Sequence, residues 1–221
     1  MSEHQDQALN RLKEGIHRFQ SEVYPHHSAE YQYAASHPQT PHTLIITCAD
    51  SRIDIETITG SNPGEIFVAR NVGNMVPAYG EMLGGVSAVI EYAVSALKVK
   101  HAAICGHMDC GAMKALKTND SSLDALPTVK SWLNNAQAAR SVAASMNGGE
   151  PSLHTLTEQN VLLQLTHLQT HPSVRGAMAR GELTISGWIY DIATGDVLIY
   201  SPATKKFEST LAAAGDLVAN A

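Results

Sequence analysis

The sequence predicts an α/β fold: a central, mostly parallel β-sheet flanked by helices and preceded by an N-terminal helical arm. Three observations predict it. Apolar runs without polar alternation recur at residues 43–48 and 101–106, as in strands buried on both faces of a parallel sheet. Stretches with helical apolar spacing alternate with these runs, as crossover helices do. Hydrophobic residues make up 44% of 221, enough for one sizeable core and far from the composition of a disordered chain.

The arm comes first. Within residues 7–23, Leu9, Leu12, Ile16, Phe19 and Val23 fall on one helical face, and Pro25 is expected to end that helix. Ser28 can cap a second helix to about Ser36, closed by His37-Pro38. The apolar face of the arm must pack on the core or on a neighbouring subunit. Residues 43–48 then form the first strand, 52–58 a short helix, Asn62-Pro63-Gly64 a turn and 65–70 the second strand. Residues 84–97 make an amphipathic helix through Val86, Val89, Ile90, Ala93, Val94 and Leu97. Residues 101–106 are the third strand, and a helix starts at 111–116. A polar loop at 119–123 leads to helical stretches at 127–146, 153–170 and 172–180, the first broken by Asn147-Gly148-Gly149-Glu150-Pro151. Residues 183–190 and 196–200 read as a strand pair around Ala193-Thr194-Gly195. The tail after Lys206 is Ala-rich and is given no secondary structure. One domain is expected: arm 1–37, α/β core 38–200 and tail 201–221.

Charge narrows the function classes. The net charge of -6 and the lack of any Lys/Arg run argue against nucleic acid as a partner. No apolar run is long enough to span a bilayer, and the polar, acidic start is unlike a secretory signal, so a cytoplasmic protein is expected. Three cysteines cannot all pair, and in the cytoplasm all should be reduced. Cys105 sits inside its apolar run and reads as a small buried hydrophobe. Cys48 and Cys110 stand at the edges of theirs, where they can be core residues or displayed ligands.

The chemistry concentrates at two strand ends. Ile45-Ile46-Thr47 runs into Cys48-Ala49-Asp50-Ser51-Arg52, and Ile104-Cys105-Gly106 runs into His107-Met108-Asp109-Cys110-Gly111. Two thiols, an imidazole and a carboxylate are zinc-type ligands, and open parallel sheets gather ligands at the carboxyl ends of their strands. Paired CxxC knuckles, the mark of a structural zinc module, are lacking. Two Cys and one His leave a fourth position, which Asp50 can fill or leave to water. Asp50 with Arg52 also reads as an ordinary ion pair at a helix start. Two thiolates would cancel the formal charge of Zn²⁺, so the metal would polarise its water less than a three-histidine site does.

These residues resemble the β-class carbonic anhydrases. Cys48-Ala49-Asp50-Ser51-Arg52 is similar to the family's first signature. Glu91-Tyr92-Ala93-Val94 through Gly106-His107-Met108-Asp109-Cys110-Gly111 is similar to its second, and Arg70-Asn71-Val72-Gly73-Asn74 to the stretch between them. The likeness runs from Gln39 to Tyr190, and residues 160–175 resemble the bacterial and cyanobacterial branch. The resemblance implies one Zn²⁺ per subunit on Cys48, His107 and Cys110. Asp50 would either take the fourth position in a closed state or pair with Arg52 in an open state. It further implies that Gln39 and the Gly111 N–H contact substrate or bicarbonate, and that Phe67, Val72 and Tyr92 line an apolar CO2 pocket. The family builds that pocket at a dimer interface, so a homodimer or higher homo-oligomer is expected, with some of these residues serving the partner's zinc.

One subgroup carries an inhibitory bicarbonate site that needs a Trp three residues before the first zinc Cys. Ile45 stands there, which implies the plant-like, open type. The long C-terminal extension of carboxysomal relatives has no counterpart before Ala221. The expected reaction is hydration of CO2 to bicarbonate and a proton by zinc-bound hydroxide, oriented by the Asp50–Arg52 dyad. Two alternatives stand beside it: hydrolysis of carbon disulfide or carbonyl sulfide on the same zinc, and a non-catalytic zinc- or bicarbonate-binding protein.

Overall fold

The computed structural model describes residues 3–80, 84–118 and 121–211. The chain divides into two units, residues 1–39 with 62–64, and residues 40–61 with 65–221. The first unit is helical. Helix α1 (Glu3–Arg18) passes through a π-helical turn (Phe19–Val23) directly into α2 (Tyr24–Ser36). Pro25 therefore does not end the helical stretch, as its position in the sequence suggests; it lies in the first turn of α2, directly after the π turn. Phe19, Tyr24 and Tyr31 cluster there with ring centroids 5.4–6.0 Å apart. Leu9, Leu12, Ile16, Phe19 and Val23 stay exposed.

The second unit holds a six-stranded sheet in the order β2-β1-β3-β4-β5-β6. Its strands are β1 (Thr43–Cys48), β2 (Ile66–Asn71), β3 (His101–His107), β4 (Thr184–Tyr190), β5 (Val197–Ser201) and β6 (Lys206–Ser209). The first four strands in that order run parallel, while β5 and β6 are antiparallel additions. The last strand falls in the stretch read from sequence as a tail. Residues 119, 120 and 212–221, parts of the expected polar loop and tail, lie outside the described residues.

All six residues of β1 are buried, which explains its unbroken apolar run: it is covered on both faces. Leu44 and Ile46, with Ala102 and Ile104, face Ile90 of α4 (Gly85–Glu91) and Val161 and Leu165 of α8 (Leu153–Leu168). Ile45, Ala103 and Cys105 face the other way, toward Ile55 of α3 (Ile55–Thr59). Cys105 is fully buried and free, as its place inside the run indicates, and burial pushes its thiol up to about 12. The helix read over 84–97 is α4 followed by a π turn (Tyr92–Ala96). A separate apolar cluster joins Met113 and Leu116 of α5 (Gly111–Thr118), Leu133 of α6 (Pro127–Leu133) and Ala139 and Ala143 of α7 (Gln137–Met146) to Leu156 of α8. Cys48 and Cys110 sit at the rim of that cluster. Helix α9 (Pro172–Ala179) leads into β4.

Chain direction reverses its neighbour order at β1: β2 pairs on one side and β3 on the other. The carboxyl ends of β1 and β3, at Cys48 and His107, flank this switch point, where open α/β sheets place their ligands.

Candidate metal centre

Cys48 ends β1, His107 ends β3, and Cys110 precedes α5 by one residue. Parallel pairing aligns Thr47 with Cys105, so β1 ends at Cys48 one residue before the end of β3 at His107. The turn after β3 carries Asp109 in the left-handed region, at φ 62, which lets the chain double back and bring Cys110 beside Cys48. The two sulfurs and one imidazole nitrogen lie within 4.8 Å of one another, and all three residues are buried.

Their hydrogen bonds suit a metal. His107 Nδ1 lies 2.9 Å from the Met108 carbonyl, which can only accept, so Nδ1 carries the proton and Nε2 offers its lone pair. That Nε2 is buried without a hydrogen-bond partner, a costly state for a polar atom unless something else engages it. Cys110 beside Cys48 holds the Cys48 thiol far below the usual thiol range, and the same contact pushes Cys110 up: the pair readily gives up its first proton. The Gly73 N–H adds a bond to Cys48 Sγ at 3.4 Å. An imidazole lone pair and an acidic thiol pair in a buried trio fit Zn²⁺.

Asp50 stands beside the trio, its Oδ2 3.9 Å from His107 Nε2. Arg52 grips it by both edges: Nε donates to Oδ1 at 2.9 Å, Nη2 to Oδ2 at 2.7 Å, and the Arg52 backbone N–H to Oδ1 at 3.0 Å. This paired donation keeps the carboxyl ionised far below the ordinary carboxylate range.

Three supporting groups escaped sequence reasoning in their roles. Arg70 donates to the carbonyls of Cys48, Asp50 and Ile53 and so ties down the loop that displays the thiol and the carboxylate. Asn160 and Gln164, one turn apart on α8, are buried. Asn160 Nδ2 donates to the Gly73 carbonyl, Gln164 Nε2 donates to Asn160 Oδ1, and the Val76 N–H donates to Gln164 Oε1. The signal available was two amides four residues apart inside the apolar run 160–165. Asp109 receives Arg52 and Lys114.

The expected pocket residues are not brought to one place. Val72 is exposed and lines a cleft of about 720 Å³ with Ala49, Asn71, Pro127, Val129 and Trp132, whose indole N–H donates to the Val72 carbonyl. Tyr92 is exposed in a different cleft, of about 610 Å³, with its ring 6.0 Å from that of half-buried Phe67. Gly111 opens α5 directly after the Cys110 thiol. Gln39 is exposed and belongs to the helical unit.

Comparison with known proteins follows the same residues. The carbonic anhydrase family model matches residues 43–197. A carbonic anhydrase of Pseudomonas aeruginosa is 44% identical over 203 residues, covering 91% of each chain. The solved β-carbonic anhydrase CcaA superposes with a TM-score of 0.87 at 37% identity, covering 91% of this chain and 99% of that one. Tetrameric β-carbonic anhydrases of Sordaria macrospora superpose with a TM-score of 0.65 at 29% identity, over 89% of this chain and 95% of theirs. The family match spans all three metal-ligand candidates, and this close a relative covers nine-tenths of the sequence; the chain belongs to the β-class carbonic anhydrase family of enzymes.

Proposed function

We propose that the chain catalyses the reversible hydration of CO2 to bicarbonate and a proton, with one zinc ion per subunit held by Cys48, His107 and Cys110. The observation that carries this reading is the buried, unpartnered His107 Nε2 turned toward two thiols. Zinc in such a ligand set supplies Lewis acidity, bringing a water toward ionisation near pH ~7. Asp50 accepts a hydrogen bond from the attacking water and so turns a lone pair toward the substrate carbon; its part is orientation. Arg52 keeps Asp50 ionised and, by holding both carboxylate oxygens, draws it away from the ligand trio, which supports the open arrangement. Ile45, fully buried in the core, occupies the position where the regulated subgroup needs a Trp.

CO2 is apolar and uncharged, so side chains such as Val72, Phe67 and Tyr92 hold it loosely. Bicarbonate is an anion, and the Gly111 N–H at the start of α5 would receive it; Gln39 is a further candidate hydrogen-bond partner for it on the family likeness alone. In one chain, Val72 and Tyr92 line separate clefts, with the Phe67 ring beside that of Tyr92. That separation supports a pocket assembled from two copies, in which Phe67 and Tyr92 serve the partner's metal. The exposed apolar face of α1 also supports a homo-oligomer. Light scattering should give at least a dimeric mass; a monomer at micromolar concentration sinks the shared pocket. All three cysteines are free, which fits a cytoplasmic, reducing location, and no helix among the described residues is long and apolar enough to cross a membrane.

The test is stopped-flow CO2 hydration across pH on protein whose zinc content is measured in the same sample. Activity that rises with pH, vanishes on zinc removal and returns on zinc addition is expected. A fully zinc-loaded protein inert toward CO2 at every pH overturns the proposal, and release of sulfide from carbon disulfide or carbonyl sulfide by that same sample would identify the substrate instead.

A further inference from the structure

The Arg52 guanidinium has three edges to satisfy, and Asp50 uses only two of its nitrogens. The third, Nη1, donates to Asp109 Oδ2 at 3.1 Å, and Nη2 also lies 3.4 Å from the Asp109 carbonyl. The other carboxylate oxygen of Asp109 pairs with Lys114 Nζ. Asp109 is 57 residues from Arg52 and sits in the left-handed turn between His107 and Cys110. The turn that delivers Cys110 to the ligand trio thus also aims a carboxylate at Arg52. Lys114 and Arg52, in that order, hold that carboxylate ionised.

We propose that Asp109 is a positioning residue for the reaction: it anchors the far edge of Arg52, with Lys114 orienting it, and so fixes where Asp50 can stand. The inference rests on the Asp50–Arg52 reading above. A guanidinium held by one carboxylate can pivot with it, and the Arg52 side chain is 45% exposed. A guanidinium bound to two carboxylates at different edges is fixed in plane and position. The contact is half-exposed on both sides, so it adds little to folding stability. Its value lies in geometry. Released from Asp109, Arg52 would carry Asp50 through a range of positions, including closer approach to the ligand trio from its present 3.9 Å to His107 Nε2.

The test is a double-mutant cycle on zinc-loaded protein with metal content measured: wild type, D109N, R52A and D109N/R52A, with K114M beside them. Asn tolerates the left-handed backbone, so D109N keeps the turn and removes the charge. The expected result for D109N is a kcat lower by about tenfold to a hundredfold with little change in KM, since small misplacement of a positioned group has effects of that order. In the R52A background the same substitution should change nothing, because its route of action is gone. K114M should lower kcat by a smaller factor. A readout independent of turnover is the Arg52 Nε–H resonance in ¹⁵N-labelled protein, assigned by its loss in R52A. It should exchange slowly with solvent in wild type and faster in D109N and K114M.

Full kcat and unchanged Arg52 exchange in D109N overturn the proposal. So does an equal loss in the presence and absence of Arg52, which would give Asp109 a different route. If D109N loses zinc, K114M decides by the same two readouts: unchanged kcat and exchange overturn it. Should R52A and D50N both keep full activity, the dyad reading itself has failed, and the exchange measurement still reports separately whether Asp109 anchors Arg52.

Discussion

At the scale of single residues, the site is a problem in keeping one carboxylate charged, close and restrained. Asp50 accepts three hydrogen bonds from Arg52, and those bonds set both its ionisation and its direction. Asp50→Asn exchanges a charged acceptor for an amide whose NH2 would face the guanidinium. We expect zinc content to stay at wild type and kcat/KM for CO2 hydration to fall about a hundredfold or more. Wild-type turnover in a zinc-loaded D50N sample would remove the dyad from the mechanism. The residues of this group were legible in the sequence because thiol, carboxylate, guanidinium and imidazole punctuate the ends of apolar runs, where a ligand has to be displayed. Arg70, Asp109 and Asn160 were not, because what they do depends on partners 20, 57 and 87 residues away. Sequence spacing shows local pairs such as Asp50–Arg52; it is silent on which distant carbonyl a buried amide will meet.

At the scale of elements, the site depends on how closely α8 lies on the sheet. Gly106 of β3 and Gly187 of β4 make that approach possible: a Cβ on either would stand 2.7 Å from a methyl of Val161. Only with α8 this near do Asn160 and Gln164 reach the loop after β2, whose Gly73 N–H meets Cys48 Sγ. Gly187→Ala should cost about 1–3 kcal/mol by overpacking, read as a lower urea midpoint with an unchanged m-value. Val161→Ala combined with it should recover part of that loss. Simple addition of the two single losses would show that the methyl clash is not the cause. The strands and the long helices were readable from period and punctuation. The arm was misread at Pro25 because proline marks a helix end and a helix start with the same letter. What decided between them is a π turn in which the Tyr24 N–H reaches back to the Phe19 carbonyl, one residue further than an α-helix allows.

At the scale of the whole molecule, two histidines away from the metal centre, His101 and His171, make the fold sensitive to acid. His101 is half-buried at the start of β3, between the hydroxyls of Thr184 and Ser186, and His171 is buried against the Pro77 carbonyl. Burial holds both below the ordinary histidine range; His42 adds to the effect at His101, and the Pro77 carbonyl partly offsets it at His171. In the unfolded chain both should titrate near ~6.5. Below that pH the unfolded chain binds protons that the folded one excludes, so stability falls as pH drops, and the fall ends once pH is under the folded values. Each histidine contributes a slope of at most about 1.4 kcal/mol per pH unit in that window. Acid would also weaken the proposed zinc centre, so the slope of one protein alone is ambiguous. The comparison that isolates the histidines is wild type against H101Q/H171Q, at equal zinc load, by urea unfolding between pH 8 and pH 5. The two curves should run parallel above pH 7, whatever the offset from lost packing, and converge below pH 6.5 as wild type loses stability that the variant never had at risk. Parallel curves throughout would mean that both imidazoles take up protons in the folded protein as freely as in the unfolded chain, and the acid sensitivity would then lie outside these two histidines.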